Sequence, residues 1–224
     1  MRVLTVLLAI LPAPLAAQGW TPPAGCKLDM TVQLASCRVA QHYRCKADAP
    51  GDQRVAYFDE SGGPIHLSHI DSETRWIESR DPASGLAEYL AEEPDAASLS
   101  TLLATGWDDY DFWTRTSDGL DLHYQGHDRL TGAVVTVDGV DLLVTEFAVT
   151  TRTADGTLIH ARSGGQFVSP DHGRFYGGPE EWRDWSGATG TEDESPRAFA
   201  FPDQPGFGAL TPIFGCRLEV AGLH

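Results

Sequence analysis

In the stretch CKLDMTVQL, Leu28, Met30, Val32 and Leu34 alternate with Lys27, Asp29, Thr31 and Gln33. A period of two puts one set on each side of an extended strand, so the stretch predicts a half-buried β-strand. Beyond Ala35-Ser36, Cys37, Val39, Tyr43 and Cys45 again share one parity. This predicts a second strand folded back on the first, with every apolar residue of the pair on one face.

The stretch RVAYFDESGGPIHLSHIDSETRWIES then reads as three short strands, separated by Ser61-Gly62-Gly63-Pro64 and Asp71-Ser72-Glu73. From Trp113 onward β-rich runs such as GAVVTV and VDLLVTEFAVTTRT lie between turn signals. Asp118-Gly119, Asp138-Gly139 and Asp155-Gly156 are the strong ones, and Leu130-Thr131-Gly132 is weaker.

One segment has a different period. Leu99, Leu102 and Leu103 recur at helical spacing, with Asp95 as the expected N-cap and Gly106 as the stop. This predicts a helix over residues 96–105, and GLAEYLAEE before it is expected to add a turn or two. Residues 179–206 are rich in Gly, Pro and acids and show no period, so they predict a long acidic loop. The stretch LTPIFGCRLEV is the expected closing strand. Together these elements predict a mostly β fold. It is an antiparallel meander of about ten strands, curled into a barrel, half-barrel or sandwich, with one short helix.

The first seventeen residues, MRVLTVLLAILPAPLAA, place Arg2 before an apolar run that ends at Pro12 and Pro14, with Ala16-Ala17 as a small-residue cleavage site. This predicts a signal peptide over 1–17 and a single β-rich domain over 18–224, delivered to the periplasm or secreted. The run is about half the length of a membrane-spanning helix.

Export makes the four cysteines, Cys26, Cys37, Cys45 and Cys216, a disulfide framework of two bridges. Folding the first two strands about Ala35-Ser36 sets Cys26 opposite Cys45, within bridging reach. Cys37 and Cys45 on one extended strand would stand roughly 26 Å apart. The expected pairs are Cys26–Cys45 and Cys37–Cys216. The competing pattern is Cys26–Cys37 with Cys45–Cys216, because Ala-Ser is a poor two-residue turn. There is no C-x-x-C to suggest redox chemistry.

The net charge is −16, and removing Arg2 with the leader makes the remainder more acidic still. Such a surface repels nucleic acid and anionic lipid, so neither is an expected partner. The chain contains no Asn, so it offers no N-glycosylation acceptor.

Candidate chemistry is sparse. HLSHIDSETRW offers His66 and His69, but on a strand an odd spacing sends them to opposite faces. One metal needs both nitrogens at about 2.0–2.1 Å. HYQGHD offers His123 and His127, which an extended strand would hold roughly 13 Å apart. WDDYDFW offers Asp108, Asp109 and Asp111 as oxygen ligands for calcium, without the glycine and distal glutamate of a calcium hand. The expected reading there is an acidic turn leading into a strand. No G-x-S-x-G elbow and no phosphate-binding loop is present. No cofactor and no metal is expected, and these residues remain weak metal candidates.

The strings TPPAGC, HYRCKADAPGDQ, TRWIESRDP, DRLTG, VDGVDLL, RFYGGPEEW and PIFGC resemble a group of uncharacterised exported bacterial proteins across nearly the whole mature chain. That resemblance implies export and carries no activity or site residue. In architecture alone the chain is also similar to periplasmic lipid and lipoprotein carriers of the half-barrel type. The expected function is non-enzymatic binding of a small apolar ligand or an envelope protein. The alternatives are a hydrolase, with or without a metal's assistance, whose site assembles only in three dimensions, and a cell-envelope structural or assembly factor.

Overall fold

A computed structural model describes residues 20–214. The expected leader lies outside them, and so does Cys216, on which the expected bridge to Cys37 depends. Fourteen strands and one helix follow in order: β1 (Cys26–Leu34), β2 (Val39–Cys45), β3 (Gln53–Phe58), β4 (Pro64–Ile70), β5 (Trp76–Arg80), β6 (Ala87–Asp95), α1 (Leu99–Thr105), β7 (Trp107–Thr116), β8 (Asp121–Val137), β9 (Val140–Thr153), β10 (Leu158–Ser169), β11 (Arg174–Tyr176), β12 (Pro179–Asp184), β13 (Thr189–Asp193) and β14 (Pro196–Ala200).

All these strands belong to one antiparallel sheet, and each strand from β1 to β10 pairs with its neighbour in sequence. The spatial order runs from β13 through β12 and β10 down to β1 and ends on β14, with β11 paired to β10 alone. The ladder is not closed, yet its two edge strands, β13 and β14, are separated in sequence only by Glu194 and Ser195. The sheet therefore curls until strands far apart in the order touch. Met30, Val32, Leu34, Ala40 and Val55 of β1–β3 pack with Leu142 of β9, Tyr176 of β11 and Phe199 of β14. A second cluster, Phe112, Leu122, Tyr124, Phe147 and Val149, fills the β7–β9 side.

The first hairpin holds its expected register where the disulfide is. Cys26 opposes Cys45 with Cα atoms 3.9 Å apart, and the two are bonded. Between Leu28 and Met30 the register slips by one, so Met30 faces His42. The turn is also one residue longer than expected: Leu34 N–H bonds Arg38 O, and Cys37 takes φ 67°. A third loop residue in the left-handed region is the standard way to close such a loop. The bulge at Asp29 absorbs the extra residue. It also corrects the expectation of a single apolar face. Met30, Val32 and Leu34 join the interior, whereas Cys26, Leu28, Val39 and Tyr43 cluster with Trp20, Phe58 and Leu210. The segment after β14 closes over this second face. Gln41 Nε2 donates to Ala209 O, Thr31 Oγ1 accepts from Gly208 N–H, and Gln33 Oε1 accepts from Ile213 N–H.

Four further expectations are corrected. The segment GLAEYLAEE contributes to β6, not to a helix, because its backbone is paired on both sides by β5 and β7. The helix starts at Leu99, with Ser98 as N-cap and its hydroxyl accepting from Thr101 N–H. Asp95 ends β6 instead, and Glu73 and Asp108 accept the amides of Ser100 and Ser98. Gly106 stops the helix at φ 83°, as its position predicts. Leu99 and Leu102 then pack on Val168, flanked by Leu130, Leu143 and Phe175.

The stretch 179–206 is no single loop: it carries β12, β13 and β14. Its apolar period is missing because β12 and β13 form an edge hairpin with little to bury on either side. Trp182 lies against Gly190, where a Cβ would stand 2.5 Å from the indole. Thr131-Gly132 is likewise no turn but a bulge within β8. Asp138-Gly139, by contrast, has both φ values positive, as the predicted two-residue turn requires.

Candidate functional site

Curling leaves a cavity between the two sides of the sheet. It has two lobes, ≈ 460 Å³ and ≈ 200 Å³, which share Tyr57, Ser68, Trp76, Gln166, Tyr176 and Gly177. Strand parity decides what reaches it. On β2, Ala40 and His42 face inward while Val39, Gln41 and Tyr43 face the covered outer side. On β4, His66, Ser68 and Ile70 face inward.

The larger lobe combines apolar walls with polar groups. Leu34, Ile65 and Trp76 share it with His42, His66, Glu88 and Arg162. Most of these polar groups are engaged. Glu88 accepts from Thr114 Oγ1 at 2.5 Å and from the Tyr124 hydroxyl at 2.7 Å. Arg162 makes two bonds to Glu180, of 2.9 and 2.6 Å. His42 is not, since it is 3% exposed and neither ring nitrogen has a hydrogen-bond partner. Burial pushes its pKa well below the ordinary value, and the Arg174 charge adds to this, so the imidazole is neutral. A buried imidazole with two unmet nitrogens is costly unless something enters to meet them.

In the smaller lobe Asp128 has an unpartnered Oδ1. Burial, and then the charge of Asp108, push its carboxyl up to about 7. The buried side chain of Arg174 reaches the same lobe.

The residues singled out in the sequence are scattered. His66 enters the cavity beside Tyr57, and burial lowers its pKa. His69 faces the other way and bonds Asp52 at 2.8 Å. His123 and His127 also lie outside the cavity. His123 stacks on Trp113 and bonds Asp111 at 2.6 Å, and His127 stacks on Trp107. The aspartates lie on strand β7, not in a turn, and alternate faces. Asp108 is buried at the helix cap, whereas Asp109 opposes His127. Among the described residues no cluster of three or more His, Cys, Asp or Glu side chains is arranged to hold a metal ion.

Sequence reasoning passed over His42, Glu88, Asp128, Arg162 and Arg174. The only local signal for His42 was its parity with Ala40, opposite to that of Val39 and Tyr43. A broader, open depression of ≈ 950 Å³ lies across β8–β10, β12 and β13, with Gln125, Thr150, Ser163 and Thr191 among its lining. It contains no unmet buried group, so the interior cavity is the stronger candidate. No family model, no curated protein and no solved structure matches this chain.

Proposed function

We propose that the protein is an exported, non-enzymatic binding protein that holds a small molecule inside its curled sheet. The observation that carries this reading is His42, a buried imidazole on a cavity wall with neither nitrogen met by the protein. The walls revise the expected ligand chemistry. Trp76, Leu34 and Ile65 suit an apolar body, and His42, His66 and Gln166 require polar groups on it as well. Export is supported by the signal-peptide pattern of residues 1–17 and by the Cys26–Cys45 bridge, which fits an oxidising compartment.

Native mass spectrometry of protein purified from its own compartment, without chelator or detergent, tests the reading. An added mass of a few hundred daltons, lost on denaturation, is the expected result. An added mass equal to a metal ion would favour the hydrolase instead. A bare chain that binds no small molecule on titration would leave the envelope-factor reading in its place.

A further inference from the structure

Four arginines reach the cavity walls: Arg38, Arg75, Arg162 and Arg174. Three of them have carboxylate partners. Arg38 lies 3.0 Å from Glu192 and also bonds Glu194, Arg75 bonds Asp71 and Glu93, and Arg162 bonds Glu180. Arg174 is the most buried, at 4% exposed, and among the described residues it has no ion pair. Its contacts are two long hydrogen bonds, to Gln53 Oε1 at 3.4 Å and Phe175 O at 3.5 Å, and the face of Tyr176 at 5.6 Å. Gln53 cannot swing to improve its bond, because its amide nitrogen is held by His172 O and Gly173 O.

A guanidinium keeps its proton even when buried, so Arg174 is a cation facing a cavity with its donor fork largely unfilled. His42, on the adjoining wall, adds one free N–H and one free acceptor. The other charged groups at hand limit what could fill the site. Glu93 and Asp128 line the lobe that Arg174 reaches, and Glu88, Glu192 and Glu194 line the larger one, so a second negative charge on a ligand would meet carboxylates. We infer that the ligand is an organic monocarboxylate, its two oxygens taken by the fork of Arg174 and its apolar body lying along Trp76 and Tyr57. This assignment rests on the reading of the cavity as a ligand site.

Octanoate, 1-octanol and octylamine share one chain and differ in head group. Each is titrated into the exported protein at neutral pH, with tryptophan fluorescence and calorimetry as readouts. Octanoate is expected to bind, octanol to bind more weakly by roughly 30-fold or more, and octylamine more weakly still. In Arg174→Met the preference for octanoate over octanol disappears while octanol affinity is kept, and Arg174→Lys retains the preference. The ligand-free Arg174→Met protein melts no lower than wild type, since the buried charge removed had no carboxylate partner and only long hydrogen bonds to lose.

Equal binding of octanoate and octanol by wild type overturns the carboxylate assignment and leaves the cavity reading standing. Binding of none of the three overturns both. An Arg174→Met protein that melts far below wild type makes Arg174 part of the scaffold and overturns the assignment as well.

Discussion

Asp108 on β7 and Asp128 on β8 are directly opposed across their ladder, and both are buried. Like charges in that relationship repel. The conflict is resolved unequally. Asp108 accepts the Ser98 amide at 2.8 Å and so helps cap α1, whereas Asp128 Oδ1 has no partner.

Asp128 therefore makes stability depend on pH. Its carboxyl sits at about 7 in the fold, against an ordinary value of 3.8. Between those values the native protein holds a proton that the unfolded chain has released, so stability falls as pH rises through this window and levels off above it. Asp128→Asn is expected to stabilise the protein at pH 8 by on the order of 2–4 kcal/mol, with no gain near pH 3.5. Urea unfolding at the two pH values measures this, and an equal effect at both would show that Asp128 titrates normally.

The Cys26–Cys45 bridge closes a loop with a sequence separation of 19. Replacing both cysteines by serine is expected to cost about 3 kcal/mol, chiefly by freeing the unfolded chain. Denaturant midpoints of the two proteins, compared at equal m, give the figure.

Two glycines are predicted to differ in their tolerance of alanine. At Gly106 the surroundings are open and only the positive φ opposes a side chain, so Gly106→Ala should cost about 1 kcal/mol. At Gly164 a Cβ would stand 2.3 Å from Pro179 O and 2.6 Å from Glu180 Cα. Gly164→Ala must part β10 from β12 and should cost roughly 1–3 kcal/mol. Thermal melts of the two variants, with Gly106→Ala the milder, would bear this out.

Gln41 is fully buried and ties the segment after β14 to the sheet, directly through Ala209 O and indirectly through Thr31, whose hydroxyl donates to Gln41 Oε1 at 2.7 Å. Gln41→Ala should speed amide exchange at Gly208 while leaving the β7–β8 ladder unchanged. Unaltered exchange at Gly208 would mean that the bonds to Thr31 and Gln33 hold the segment without Gln41.

Much of the sheet was legible because hairpin order is local information. The strands around His66 and His69, the Asp138-Gly139 turn and the pairing of Cys26 with Cys45 all follow from alternation and turn chemistry. The slip at Asp29 did not show, because a bulge is set by how two strands meet and not by any residue of its own. The segment GLAEYLAEE misled because Leu, Ala and Glu favour helices when no neighbours are considered, and pairing on both sides overrode that preference. The cavity groups were hidden for a different reason. An arginine without a carboxylate or a histidine without a hydrogen bond is defined by what is missing around it in space, and no spacing along the chain encodes that.

The short link through Glu194 and Ser195 also bears on the order of events as the chain folds. From β1 to β10 every strand finds its partner in the strand just made, so the sheet can zip up in the direction in which the chain emerges. β14 alone must travel back to a partner at the far end, β1, and its arrival brings Phe199 against Met30 and Val32. The core that Met30 and Val32 enter is thus completed by the last strand in the described chain. A chain stalled short of residue 196 would carry most of its ladder and still have no finished interior to fill.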